Sequence, residues 1–345
     1  MRAPFPYFGG KSRVAPDVWA RLGNCPNYVE PFFGSGAVLL ARPDNHEWWK
    51  RIETVNDADG LLSNFWRAVK HDPDGVAEWA DWPVNENDLH ARHSWLVGRK
   101  EDITRRLEGD PDYYDAKVAG WWVWGISTWI AGQWCGGTGP WVVGADEEGY
   151  PVLVRVKGSG GQQRKRPHLG DKGRGVNVTC YPTSDAYDKA NGICATRREF
   201  LMALMNNLSN RLRHVRVCCG DWSRITRPTP TVQHGLTGVF LDPPYSFDER
   251  DSCLYNKETD CAKDVLQWAL TNGDNPMLRI ALCGYDGEHN VLEDYGWDVH
   301  AWKAAGGYGS QSNGRGRANS YRERIWFSPH CLQPNVGPAQ KQLLT

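Results

Sequence analysis

The sequence predicts an α/β protein with a doubly wound, Rossmann-like sheet of about seven strands and an inserted module. Three observations carry this. Short apolar runs that end in an acid alternate with helical patterns near both ends of the chain. Four such acids, Glu30, Asp57, Asp221 and Asp242, each follow a strand pattern, and a parallel sheet would gather them on one rim. Between the two α/β stretches the alternation stops, and the chain becomes rich in Trp and Gly. The expected organisation is a first α/β part over 1–71, an insert over 72–195, a second α/β part over 196–330 and a polar tail over 331–345.

The elements follow in order. In NYVEPFFGSGAVLLAR, Tyr28 and Val29 begin a strand that passes through Glu30, Gly34 and Gly36 turn the chain, and a helix starts near Ala37. In RIETVNDADGLLSNFWRAVK a strand over 52–55 ends at Asn56 and Asp57, and Leu61, Leu62, Phe65 and Val69 recur at helical spacing. DAKVAGWWVWGISTWIAGQW reads as one or two buried helices carrying Trp121, Trp122, Trp124 and Trp129. A hairpin follows, from 141–143 through ADEEG to 150–156. RREFLMALMNNLSNRLRH is an amphipathic helix, and VRVCCGDW is a strand ending at Asp221 and Trp222. TGVFLDPPY is the next strand, and a helix near 262–270 leads to the strand MLRIALCGY. GWDVHAWKA and RERIWFSPH form a terminal antiparallel pair.

Composition narrows the class. An apolar content of 40% with 23% charged residues suits a soluble globular protein. No apolar run approaches the roughly 18 residues of a membrane span, and MRAPFPYFGGKSR has no apolar core of a secretory signal. The ten cysteines contain no C-x-x-C pair and read as reduced buried thiols, with no metal-ligand spacing. A net charge of −1 excludes a globally basic nucleic-acid binder. The charge is local, however. Arg155, Lys157, Arg164, Lys165, Arg166, Lys172 and Arg174 face a single acid, Asp171, and Arg315, Arg317, Arg322 and Arg324 form a second set. Such loops suit a grip on a phosphate backbone, or simply a solvated surface.

The chemistry concentrates in two places. Val239, Phe240 and Leu241 end at Asp242, and Pro243 and Pro244 cannot donate ladder hydrogen bonds. What is left is a stiff corner with one carboxylate, free carbonyls and the flat ring of Tyr245, suited to a planar ligand with hydrogens to donate. In the first part, Gly36 and Asp57 stand 21 residues apart, close to the spacing of a ribose-binding acid in nucleotide folds. FFGSG lacks the third Gly of a dinucleotide fingerprint and the Gly-Lys-Ser/Thr of a phosphate loop. Gly9, Gly10 and Lys11 in YFGGKS offer a flexible turn and a cation that could meet a carboxylate. An adenosine, a carboxylate and no phosphate describe S-adenosyl-L-methionine.

YFGGK, EPFFGSG, ND and DPPY, in this order and spacing, resemble the Dam-type, alpha-group DNA adenine methyltransferases, including phage and prophage members. The resemblance covers roughly residues 5–70 and 196–330. It implies methyl transfer from S-adenosyl-L-methionine to the 6-amino group of an adenine flipped out of double-stranded DNA, with 72–195 as the target-recognition domain. It implies catalytic roles for Asp242, Pro243, Pro244 and Tyr245: the acid and the Pro243 carbonyl accept from the amine, and Tyr245 stacks on the base. It places Phe8, Gly9, Gly10 and Lys11 near the methionine carboxylate, and Glu30, Phe32, Gly34, Ser35 and Gly36 beneath methionine and ribose. Asp57 is expected on the ribose hydroxyls, and Asp221 on the cofactor's adenine amine with Trp222 alongside. The basic loop from Arg155 to Arg174 is expected on phosphates rather than base edges.

The insert lacks the Arg-Tyr-Asn and Phe-Asn-Val-Pro residues of GATC-reading hairpins, so no recognition sequence is implied. A cytosine-N4 methyltransferase, an RNA or protein-glutamine methyltransferase, and a DNA-binding relative without catalysis are the alternatives. The expectation is a cytoplasmic protein of a bacterium or phage-infected host, a monomer or weak dimer, with no metal and no membrane partner. Restriction-modification, phage self-protection and regulation are all compatible with this reading.

Overall fold

The computed structural model describes residues 1–7, 9–43, 50–129, 134–135, 141–155, 175–177, 197–245, 261–303 and 321–333. Within them, β1 (Asn27–Glu30), β2 (Ile52–Asp57), β5 (Val215–Cys219), β6 (Thr237–Leu241), β7 (Leu278–Tyr285), β8 (Asp298–Ala301) and β9 (Glu323–Phe327) form one sheet. Its order is β5-β2-β1-β6-β7-β9-β8. The first five of these run parallel, and β9 lies antiparallel between β7 and β8. A separate antiparallel hairpin joins β3 (Trp141–Ala145) to β4 (Pro151–Arg155), as the sequence predicts. The chain starts at the centre with β1, winds out through β2 to β5, then returns to the other side of β1 with β6. That reversal between β1 and β6 is the switch point at which doubly wound sheets bind ligands.

Period-2 alternation sends side chains to two cores. Tyr28, Phe240, Cys283, Ile325 and Phe327 face one side, and Val29, Val239, Leu241, Leu282 and Trp326 the other. The first face carries most helices: α1 (Ala15–Leu22), α2 (Ala37–Leu40), α3 (Gly60–His71), α4 (Pro73–Ala80), α5 (Glu86–Val97), α6 (Lys100–Gly109), α7 (Ala116–Thr128) and α8 (Arg197–Leu212). The second face is covered by α9 (Ala262–Asn272), through Val265 and Ala269, and by Leu292 and Trp297.

Helix α3 begins where Asp59 accepts from the Leu61 amide at 2.9 Å, and α7 where Asp115 accepts from Val118 at 2.9 Å. The tryptophan-rich segment is therefore one helix in its described part. Its Trp122 meets Phe5 edge-on at 5.0 Å and Phe65 at 5.7 Å, so 116–128 shares the core of the α/β body. The change of rhythm at residue 72 marks four consecutive helices, not a gap in packing.

One buried ionic knot ties this face together. Glu53 on β2 takes Arg42 at 3.0 Å and a two-pronged contact from Arg211 of α8 at 2.7 and 2.9 Å. Arg42 also donates to the Cys25 carbonyl, and Arg211 to the Leu39 carbonyl at 3.1 Å. Burial opposes the Glu53 charge, but the two guanidiniums hold its carboxyl below the usual range. Removing one partner of such a cluster strands the others. Glu53→Ala is expected to lower stability by about 3–5 kcal/mol, measured as a shift of the urea unfolding midpoint.

Candidate active site

The C-terminal ends of β1, β2 and β6 open into a cleft of about 780 Å³ that is continuous with solvent. Gly9, Gly10, Lys11, Glu30, Phe32, Gly34, Ser35, Asp57, Asp242 and Pro244 all line it, which brings most of the sequence-predicted residues to one place. Gly36, Pro243, Tyr245, Asp221 and Trp222 stand outside that lining. Phe8, Lys157, Arg164, Lys165, Arg166, Lys172 and Arg174 lie outside the described residues, as do Arg315 and Arg317. Arg155 ends β4, its backbone in register with Trp141.

The floor is a rigid rim. Asp57 accepts from the Gly34 amide at 3.0 Å and from the Asp59 amide at 2.9 Å, which ties the turn after β1 to the end of β2. Burial lifts the Asp57 pKa to about 6 in spite of these two donors. Asn56 donates to the Pro31 carbonyl at 3.1 Å and the Gly220 carbonyl at 2.9 Å, so one side chain pins loops from β1 and β5. Gly34 holds φ +49°, and a Cβ there would lie 2.9 Å from the Tyr7 ring. Glu30 is buried and accepts from the Tyr28 hydroxyl at 2.9 Å; burial pushes its carboxyl well above the ordinary range.

The wall toward β5 is aromatic. Phe32 stacks on Trp222 with ring centres 6.1 Å apart. Asp221 is exposed and caps the turn Trp222–Ile225 by accepting from the Ser223 amide at 2.9 Å and its hydroxyl at 2.5 Å. Asp59, next but one to Asp57, is the acid that caps α3.

The opposite wall is the proline corner. Lys11, 4% exposed, is not a free cation awaiting a carboxylate. Its ammonium lies 2.8 Å from Asp242 Oδ2, donates to the Gly9 carbonyl at 2.8 Å and reaches the Tyr245 oxygen at 3.2 Å. Burial opposes this charge, but Asp242 and Glu323 outweigh it and hold the Lys11 pKa above its ordinary value. Tyr245 is itself buried; its ring packs edge-on against Tyr285 at 4.5 Å, and its hydroxyl donates to Glu323 at 2.8 Å.

Residues 7–93 match the family model of the D12 class N6 adenine-specific DNA methyltransferases. The resemblance read from the motifs is borne out here. The match runs from the Gly-Gly-Lys turn through β1, the glycine turn and β2 into α5. It includes most of the cleft lining and ends before the proline corner. No curated protein matches the chain. Among the described residues no three His, Cys, Asp or Glu side chains gather to hold a metal ion, and no helix is long and apolar enough to cross a membrane.

Sequence reasoning missed Tyr7, Asp59 and Glu323. Tyr7 and Asp59 each stand close to a residue that was singled out, Gly9 and Asp57, and could have been found by extending those motifs. Glu323 carried no signal, because only the pairing of β9 with β7 brings it to the corner. Gly34→Ala is expected to cost about 1–2 kcal/mol from backbone conformation alone, with a further loss from displacing Tyr7. Thermal unfolding of the variant beside Ser35→Ala checks this, with Ser35→Ala expected close to the parent.

Proposed function

We propose that the protein transfers a methyl group from S-adenosyl-L-methionine to the 6-amino group of adenine in double-stranded DNA. The observation that carries this is the charge of the cleft. Among the described residues its lining holds one cation, Lys11, already paired to Asp242, against four acids, Glu30, Asp57, Asp59 and Asp242, of which buried Glu30 is the least readily charged. A polyphosphate nucleotide would be repelled there, whereas a sulfonium cation is attracted. Partly accessible Asp57 suits ribose hydroxyls, which are donors, and Phe32, backed by the ring of Trp222, offers a flat face for an adenine.

The cofactor supplies an electrophilic methyl group. The chain supplies the acceptor geometry. An aromatic amine is a weak nucleophile because its lone pair is delocalised into the ring. Asp242 and the Pro243 carbonyl, accepting its two hydrogens, turn the lone pair out of conjugation and toward the methyl. Lys11 fixes the Asp242 carboxylate by one oxygen, which leaves Oδ1 for the amine. The hydroxyl contacts of Tyr245 fix the plane on which a flipped base stacks. Residues 72–195 serve as the target-recognition domain, and the basic loop from Arg155 to Arg174 holds phosphates.

Two outcomes test the reading. The first is the methylome of a methylase-free bacterium expressing the chain. Methyladenine is expected in one sequence motif, and Asp242→Ala should erase it while the purified variant still binds the cofactor. Methylcytosine in place of methyladenine would move the assignment to the cytosine-N4 class. The second concerns pH. Protonation of Asp57 removes the acceptor for the hydroxyls, so cofactor affinity should rise with pH through about 6. Calorimetry should find binding roughly tenfold weaker at pH 5 than at pH 7, with the slope flattened in Asp57→Asn.

A further inference from the structure

The corner holds a second acid that the methyl-transfer scheme leaves unused. Glu323, the first residue of β9, is 5% exposed and lies in register with Tyr285 of β7. Its Oε2 accepts the Tyr245 hydroxyl proton at 2.8 Å. A phenol has one proton to give, and this short contact takes it. The Tyr245 oxygen also accepts from Lys11 at 3.2 Å and lies 3.4 Å from Asp242 Oδ1. That last separation is longer than an ordinary O–H···O bond, as expected where a carboxylate faces a lone pair. It becomes attractive once Asp242 carries a proton. Asp242, Tyr245 and Glu323 thus form a line of oxygens leading from the cleft into the core.

We propose that Glu323 is the final acceptor of the proton that the amine loses on methylation, delivered through Asp242 and the Tyr245 hydroxyl; this rests on the methyl-transfer reading. As the nitrogen–methyl bond forms, the methyl–sulfur bond breaks with its electron pair going to sulfur. The nitrogen sheds one proton to Asp242 Oδ1. Asp242 then gives a proton to the Tyr245 oxygen, whose own proton moves to Glu323 Oε2. Asp242 ends as a carboxylate again, and Glu323 ends as a neutral acid.

The direction of transfer follows from the partners of each acid. Asp242 has the Lys11 ammonium at 2.8 Å to stabilise its charge. Glu323 has the Tyr245 hydroxyl instead. Burial raises the Glu323 pKa; Lys11 and the Tyr245 hydroxyl pull it down, Asp242 and Glu288 push it up, and the net effect is upward. Two further titratable groups face this cluster: burial keeps the Cys283 thiol neutral and pushes the Glu30 carboxyl well above its ordinary range. The charge also balances. A sulfonium and Lys11 offset Asp242 and Glu323 before transfer, and Lys11 alone offsets Asp242 after it.

The test uses the full chain with S-adenosyl-L-methionine and methylation-free bacterial genomic DNA at pH 8. Infrared difference spectra are recorded before and after one turnover for the parent, Glu323→Gln, Tyr245→Phe and the double variant. A carboxylic-acid band of Glu323, identified by its absence from Glu323→Gln, should rise with methyladenine in the parent. In Tyr245→Phe and the double variant the proton stays on Asp242 or passes to solvent, and the Glu323 band should be missing. Each single variant should turn over about tenfold or more slowly, and the double variant no more slowly than the singles, because both cut one chain. Cofactor affinity should stay within about twofold. A Glu323 band that rises equally in Tyr245→Phe, or parental turnover in Glu323→Gln, overturns the relay and leaves methyl transfer standing. A parent that binds the cofactor yet leaves no methyladenine overturns both. If Glu323→Gln does not fold, Tyr245→Phe alone decides, by the presence or absence of the band.

Discussion

An ammonium that is 4% exposed, held 2.8 Å from Asp242 and within hydrogen-bond reach of Tyr245, joins the first turn of the chain to the proline corner. Taking such a charge out of water costs several kcal/mol unless its partners are in place. Lys11 therefore makes the N-terminal segment and the end of β6 interdependent. The acids around it have the same need. Glu30, Asp242 and Glu323 converge on one region of the rim, and Lys11 is the cation that their mutual repulsion has to work against. The glycine turn, the clamp by Asp57 and the aromatic wall are arranged about a site whose charge this contact sets.

The strands were legible because each is a short apolar run that stops at an acid or a turn, and the rim acids were legible for the same reason. A parallel sheet then obliges Glu30, Asp57 and Asp242 to meet, whatever their distance along the chain. Helices α5 and α6 were not legible. ENDLHARHSWLV and KEDITRRLEG are short and highly polar, and they bury only a few side chains, such as Leu96 and Ile103. The residue partnering the corner tyrosine was illegible for a different reason. Nothing in the spacing of RERIWF states that its second residue will face Tyr245, since strand pairing alone decides that. Lys11 shows a related limit: its motif marked it as a residue of interest, but nothing in the sequence states that it pairs with Asp242.

Under the proposed function, an acidic cleft sets a division of labour. Phosphates are repelled from the lining, whereas an uncharged base edge with amine hydrogens is not. In the proposed reaction such a lining favours a nucleobase inside the cleft and its strand at the mouth. The grip on the backbone would then come from elsewhere on the surface, and the basic cluster of the sequence over 155–174 lies in a segment apart from the rim-forming motifs.

The strand order also constrains how the chain is made. β1 and β2 pair with each other, yet their outer partners β6 and β5 belong to a stretch that begins at residue 215. At roughly 5–20 residues per second, the ribosome delivers those partners on the order of ten to thirty seconds after β2. Throughout that interval two parallel strands present unpaired edges on both sides. Helices α3, α4 and α7 are synthesised in the meantime and can cover one face of the pair, whereas the face that carries Val29 waits for α9, so what has to be shielded on the growing chain is two hydrogen-bonding edges and one apolar face.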